Sequence, residues 1–223
     1  MDQQTPTVIR LRFTKTGPIR FISHLDLTRA FHRALARAEV PIRFSEGFSP
    51  HPRFTFALPL SVGTESRCEA ADFHLAFGAD MTPEEIRERL RGQLPAGIEI
   101  TSCALAEGKL TEIACARYEV TLPKTAPDLI PAIETALKGE LFIEKKNKKG
   151  KMVTKEISQG IHAFETAPDG DGVTLLLTLG AGGKNVLGPD AVLQALESAV
   201  PGFDKTGRRT TRLALLREDG SEF

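Results

Sequence analysis

The order in which two periodicities alternate along the chain limits its fold more than any single motif. The run TVIRLRFTK sets Val8, Leu11 and Phe13 against Arg10, Arg12 and Lys15, an imperfect alternation that still specifies a half-exposed strand. SHLDLTRAFHRALARAEV then switches to helical spacing. Ser23 stands at the N-cap with Asp26 three residues on, and Leu27, Phe31, Leu35 and Ala38 recur on the core face. Strands follow in RFTFALPLSVG and EAADFHLAF, then a helix in PEEIRERLRGQL, which Thr82, Pro83 and two glutamates open. IEITSCAL closes the first half as a strand.

The second half offers the same order. RYEVTLP reads as a strand, APDLIPAIETALKG as a helix, and ELFIEKKNKKGKMVTKEIS as a hairpin turning at Asn147 to Gly150. GVTLLLTL is a buried strand, GPDAVLQALESAV a helix, and RTTRLALLRE a closing strand. Two β-α-β-β-α-β series predict an α+β protein of two tandem ferredoxin-like units with antiparallel sheets. Their expected bounds are residues 1–106 and 115–223, with the boundary in Ala106 to Ala114.

Apolar residues make up 41% and charged residues 26% of the 223 positions, the balance of an ordinary globular protein. No apolar run approaches the roughly 20 residues that cross a bilayer, and no basic-then-apolar leader opens the chain, so a cytoplasmic location is expected. Cys68, Cys103 and Cys115 are odd in number and widely spaced, a pattern of isolated thiols with no metal knuckle. Lysines and arginines equal aspartates and glutamates at 29 each, yet the charge is unevenly spread. Cations dominate from Arg10 to Arg53 and gather again in Lys145 to Lys155 and Lys205 to Arg212, a distribution that suits a polyanion.

The stretch EGFSPHPRFTFALPL holds the strongest local signal. Prolines at 50 and 52 keep Ser49 and His51 out of helix and stiffen the loop. An imidazole held there loses little entropy on binding, and Ser49 and Arg53 offer donors beside it. Phe54, Phe56 and Leu58 alternate as core residues, whereas Phe48, next to Gly47, is placed to stack on a base. Arg29, Arg33 and Arg37 form a basic stripe on the first helix, with Arg20 upstream, and His24 stands in its first turn, where phosphates bind. No GxSxG, HExxH or Cys-His signature surrounds the five histidines. The glycine-rich LGAGGKNVLGP lacks the spacing of a phosphate-binding loop, which leaves it as a connection exposing Lys184.

Three linked pieces, RFISHLDLTRAF, GFSPHP and FALPLSVG followed by Glu65 and Ser66, resemble the radical SAM-linked protein family of bacteria. The terminal RTTRLAL matches more loosely. The resemblance implies a radical SAM protein as partner, because family members are encoded beside or fused to one. This chain has no CxxxCxxC with which to hold that enzyme's iron-sulfur cluster, so no cofactor is expected here. The tandem plan is also similar to that of CRISPR-repeat endoribonucleases, which points to RNA as the ligand by analogy of fold alone. The expectation is therefore an accessory protein, without catalytic residues of its own, that binds tRNA or rRNA through Arg20, His24, Arg29, Arg33, Arg37, Phe48, Ser49, His51 and Arg53. A metal-independent endoribonuclease and a pure protein-docking module are the alternatives.

Overall fold

A computed structural model describes residues 7–146, 150–182 and 185–223. The chain forms two compact units, Met1–Thr111 and Glu112–Phe223. Among the described residues they are built from mostly antiparallel strands and four helices, a mixed α+β architecture.

In the first unit β1 (Val8–Lys15), α1 (His24–Arg37), β2 (Phe54–Phe56), β3 (Thr64–His74), α2 (Pro83–Leu90) and β4 (Ile98–Leu105) follow one another. The strands lie side by side as β4-β1-β3-β2, every pairing antiparallel. Ile9, Leu11 and Phe13 of β1 are fully buried with Leu27, Phe31 and Leu35 of α1 and Ile86 and Leu90 of α2. The helices begin where the capping residues predict. The Ser23 hydroxyl accepts the Asp26 N–H at 3.1 Å, but the aspartate is too short to reach back to the cap and takes the Ser23 hydroxyl proton instead, at 2.7 Å. Thr82 and Glu85, one methylene longer, complete the reciprocal pair.

Arg10 is buried at 6% side-chain exposure on β1. Its guanidinium donates twice to Asp72, at 2.8 and 2.9 Å, and again to the carbonyls of Glu107 and Gly108.

The second unit runs β5 (Cys115–Leu122), α3 (Ile130–Lys138), β6 (Phe142–Lys146), β7 (Met152–Glu156), β8 (Ile161–Asp169), β9 (Gly172–Gly180), α4 (Pro189–Ala199) and β10 (Arg209–Leu216). Its sheet is ordered β10-β5-β9-β8, while β6 and β7 pair only with each other as a separate ribbon. The second unit departs from the expected series of elements. The expected hairpin exists, with residues 147–149 of its turn outside the described residues, but it is an extra element. The strand that pairs with GVTLLLTL is β8, IHAFETAPD, which alternation marks only faintly because six of its nine residues are exposed. RFTFALPLSVG is also shorter than expected: only Phe54–Phe56 is strand, since Pro59 and the turn at Ser61 to Gly63 end pairing.

Candidate nucleic-acid interface

Residues 42–53 form an arm rooted on the end of β3. Arg43 N–H donates to His74 O at 2.8 Å, Arg53 N–H to Arg43 O at 2.8 Å, and His74 N–H to Arg53 O at 3.1 Å. Ile42 bridges Leu75 and Phe44 bridges Pro52, both antiparallel. A clasp then closes the arm. Ser45 N–H donates to His51 O at 2.8 Å, Ser45 Oγ accepts the His51 N–H at 3.1 Å, and the same oxygen lies 2.8 Å from His51 Nδ1. Residues 46–50 are left as a short tip, where Gly47 turns the chain at φ 125°, a conformation that side chains resist.

The tip carries Phe48, whose ring is fully exposed. His51 is exposed too, and with Nδ1 held by Ser45 its Nε2 makes no hydrogen bond among the described residues. Ser49 adds its carbonyl 3.5 Å from His51 Nδ1. Proline restriction was legible in the sequence, but the serine that clasps the histidine from six residues upstream was not. Only pairing across the arm brings them together.

Behind the arm, α1 and β2 join through a row of rings. His24 meets Phe56 edge-on at 5.2 Å between centroids, Phe56 meets Phe54 at 5.0 Å, and Phe54 meets His32 at 5.7 Å. Phe54 and Phe56 are thus packing residues, as their alternation predicts. His24 is exposed at the start of the row. His32 and His74 are more enclosed, and among the described residues His32 Nε2 and His74 Nδ1 are buried without a hydrogen-bond partner.

Burial holds the His32 imidazole below its ordinary value, and His51 pushes it the same way. For His74 burial again leads, followed by Arg53 and Arg43. Both rings are therefore harder to protonate folded than unfolded. As pH falls below about 6.5 the unfolded chain takes up protons that the folded one refuses, so stability drops until the lowered folded values are passed. Urea midpoints should accordingly fall between pH 7 and pH 5, and the decline should be shallower in a His32→Met, His74→Met double variant. An identical slope in that variant would contradict the assignment.

The arginines divide by their partners. Arg29 pairs with Asp26 at 2.9 Å on the helix surface, and Arg37 donates to the side chain and carbonyl of Gln93. Arg20 pairs with Glu65 at 3.0 Å and lies over the exposed Phe21 ring. Arg33 and Arg53 are exposed, and neither has a carboxylate within ion-pairing distance among the described residues. Exposed pairs such as Arg29 with Asp26 are weak in water and are readily exchanged for a phosphate. The expected site residues thus lie on α1, on the segment before it and on the arm, all within the first unit.

The glycine-rich connection after β9 has a packing explanation. A Cβ on Gly180 would stand 2.4 Å from Asn185 O and one on Gly182 2.8 Å from Ile113 O, so close backbone approach requires both. Lys184 lies outside the described residues. Cys68, Cys103 and Cys115 are free thiols, and burial pushes Cys103 up to about 11. No group of three or more His, Cys, Asp or Glu side chains among the described residues could hold a metal ion, and no described helix is long and apolar enough to cross a membrane.

An α+β protein with a clasped, aromatic-tipped arm is the class that these features define. The chain belongs to the family DUF2344, described as an uncharacterized protein conserved in bacteria, whose model matches residues 8–189. No curated protein matches it. Among solved structures it is similar to the crystal structure of an unknown protein from Galdieria sulphuraria, at 14% identity over 93% of this chain and 98% of that one, with a TM-score of 0.27.

Proposed function

We propose that the chain is an RNA-binding accessory protein that works with a radical SAM enzyme in tRNA or rRNA modification, and that its two units are tandem ferredoxin-like folds. The fold reading draws support from the strand orders. Once the β6–β7 ribbon is set aside as an insertion between α3 and β8, each unit reads β-α-β-β-α-β with its fourth strand beside its first, then its third, then its second. The radical SAM partner rests on the resemblance over Gly17 to Ser66, and the partner would supply the radical chemistry.

RNA binding is carried by one observation: a fully exposed Phe48 on a tip whose root is fixed by the Ser45 and His51 clasp. Base stacking on an aromatic side chain is worth about 1–3 kcal/mol, and a tip already ordered pays less entropy to achieve it. The uncommitted guanidinium groups of Arg33 and Arg53 would meet phosphates. Filter binding of total RNA across a salt series tests this. Affinity should fall steeply as salt rises, because released counterions drive phosphate contacts. Phe48→Ala should lose roughly 5- to 150-fold at fixed salt, the equivalent of that stacking energy. No affinity of the unmodified protein at low salt would end the proposal. Co-purification of a protein partner that survives nuclease and is lost in Phe48→Ala would reassign the arm to protein docking.

A further inference from the structure

Among the described residues β6 and β7 are the only strands of the second unit that pair outside its main sheet. The root of their ribbon is fixed: Ile157 N–H donates to Leu141 O at 2.9 Å, Leu141 N–H to Ser158 Oγ at 2.7 Å, and Glu156 accepts the Ser158 N–H at 2.8 Å. The ribbon carries lysines on both faces: Lys145 faces Val153 and Lys155 faces Ile143 on one, and Lys146 faces Met152 on the other. Lys145, Lys146 and Lys155 have no carboxylate within ion-pairing distance among the described residues. Phe142 and Met152 remain 46% and 56% exposed.

We infer that this ribbon is a second polyanion-binding element, which grips the phosphate backbone of duplex regions in a structured RNA. The inference rests on the RNA-binding reading above and extends it to the second unit. In A-form RNA the accessible contacts are phosphates and 2′-hydroxyls, with base edges poorly reached in the deep groove. The described residues of the ribbon offer ammonium groups and no planar amide or guanidinium with which to read bases, which matches that requirement. An anionic bilayer fits less well, because Glu144 and Glu156 share one ribbon face with Phe142 and Met152 and would enter the headgroups with them.

The test uses the full chain with Lys145→Gln, Lys146→Gln and Lys155→Gln combined, against an RNA hairpin and a single strand of the same composition. None of these lysines pairs with a carboxylate among the described residues, and an unchanged melting curve verifies the fold. The triple variant should bind the hairpin at least tenfold more weakly at low salt, and the slope of log affinity against log salt should shrink by roughly 2–3. Phe48→Ala should leave that slope unchanged. A wild-type protein that binds the hairpin, with a triple variant equal to it in affinity and slope, overturns the ribbon inference and leaves the arm untouched. A wild-type protein that binds neither RNA overturns both readings. Loss of binding to phosphatidylserine vesicles in the triple variant, with hairpin binding intact, would assign the ribbon to membranes and overturn the inference.

Discussion

Phe31→Ala is expected to cost the first unit about 3–5 kcal/mol, the range for emptying a large aromatic site in a packed core. The ring is fully buried and touches three others, with centroids 4.8 Å from Phe13, 5.4 Å from Phe54 and 5.5 Å from Phe56. Few neighbours can close the gap, because Phe13 is fixed in the central strand and the two β2 rings are held by pairing with β3. Since a domain is stable by only about 5–15 kcal/mol, much of the margin disappears. Urea unfolding should show the loss, with Phe31→Leu recovering more than half of it. A change below about 1 kcal/mol would mean that the core relaxes around the void. The effect should also reach the interface, because β2 is braced on Phe31 and the arm feeds directly into β2.

Asp72→Ala carries the second large effect. It leaves the buried Arg10 guanidinium without the carboxylate that takes two of its hydrogen bonds, and removing one partner of a buried pair costs about 3–5 kcal/mol. The pair itself need not be stabilising relative to an apolar one, so an Arg10→Met, Asp72→Leu double variant should recover most of the loss. A double-mutant cycle read by urea midpoints separates the two statements. Additive single losses would show that Arg10 depends on the Glu107 and Gly108 carbonyls more than on Asp72.

How much of this was legible in the sequence depends on whether a residue's role is local. Caps are local, and Ser23 and Thr82 begin their helices where the pattern places them. Core alternation in Phe54 and Phe56 is equally local, and so is the stiffness that two prolines impose around His51. Long-range pairing is not local. β8 escaped notice because its exposed residues and an internal Pro168 hide a strand that is specified chiefly by its partner β9. The ribbon was visible as a hairpin but not as an insertion, since nothing in FIEKK or MVTKE says which sheet it joins. The Arg29, Arg33 and Arg37 stripe was visible by spacing, yet its sorting into engaged and uncommitted groups depends on Asp26 and Gln93, the second 56 residues away. The Ser45 clasp follows the same rule at shorter range.

The strand order of the first unit also has a consequence for synthesis. β1 is an inner strand whose two neighbours, β3 and β4, are both made after it, and Ile9 aligns with Leu105. Its apolar residues must wait for roughly ninety further residues to be made before the sheet can close, a delay of several seconds at ordinary translation rates. During that interval the nascent segment around Phe13 leaves uncovered the apolar side chains that the finished sheet buries.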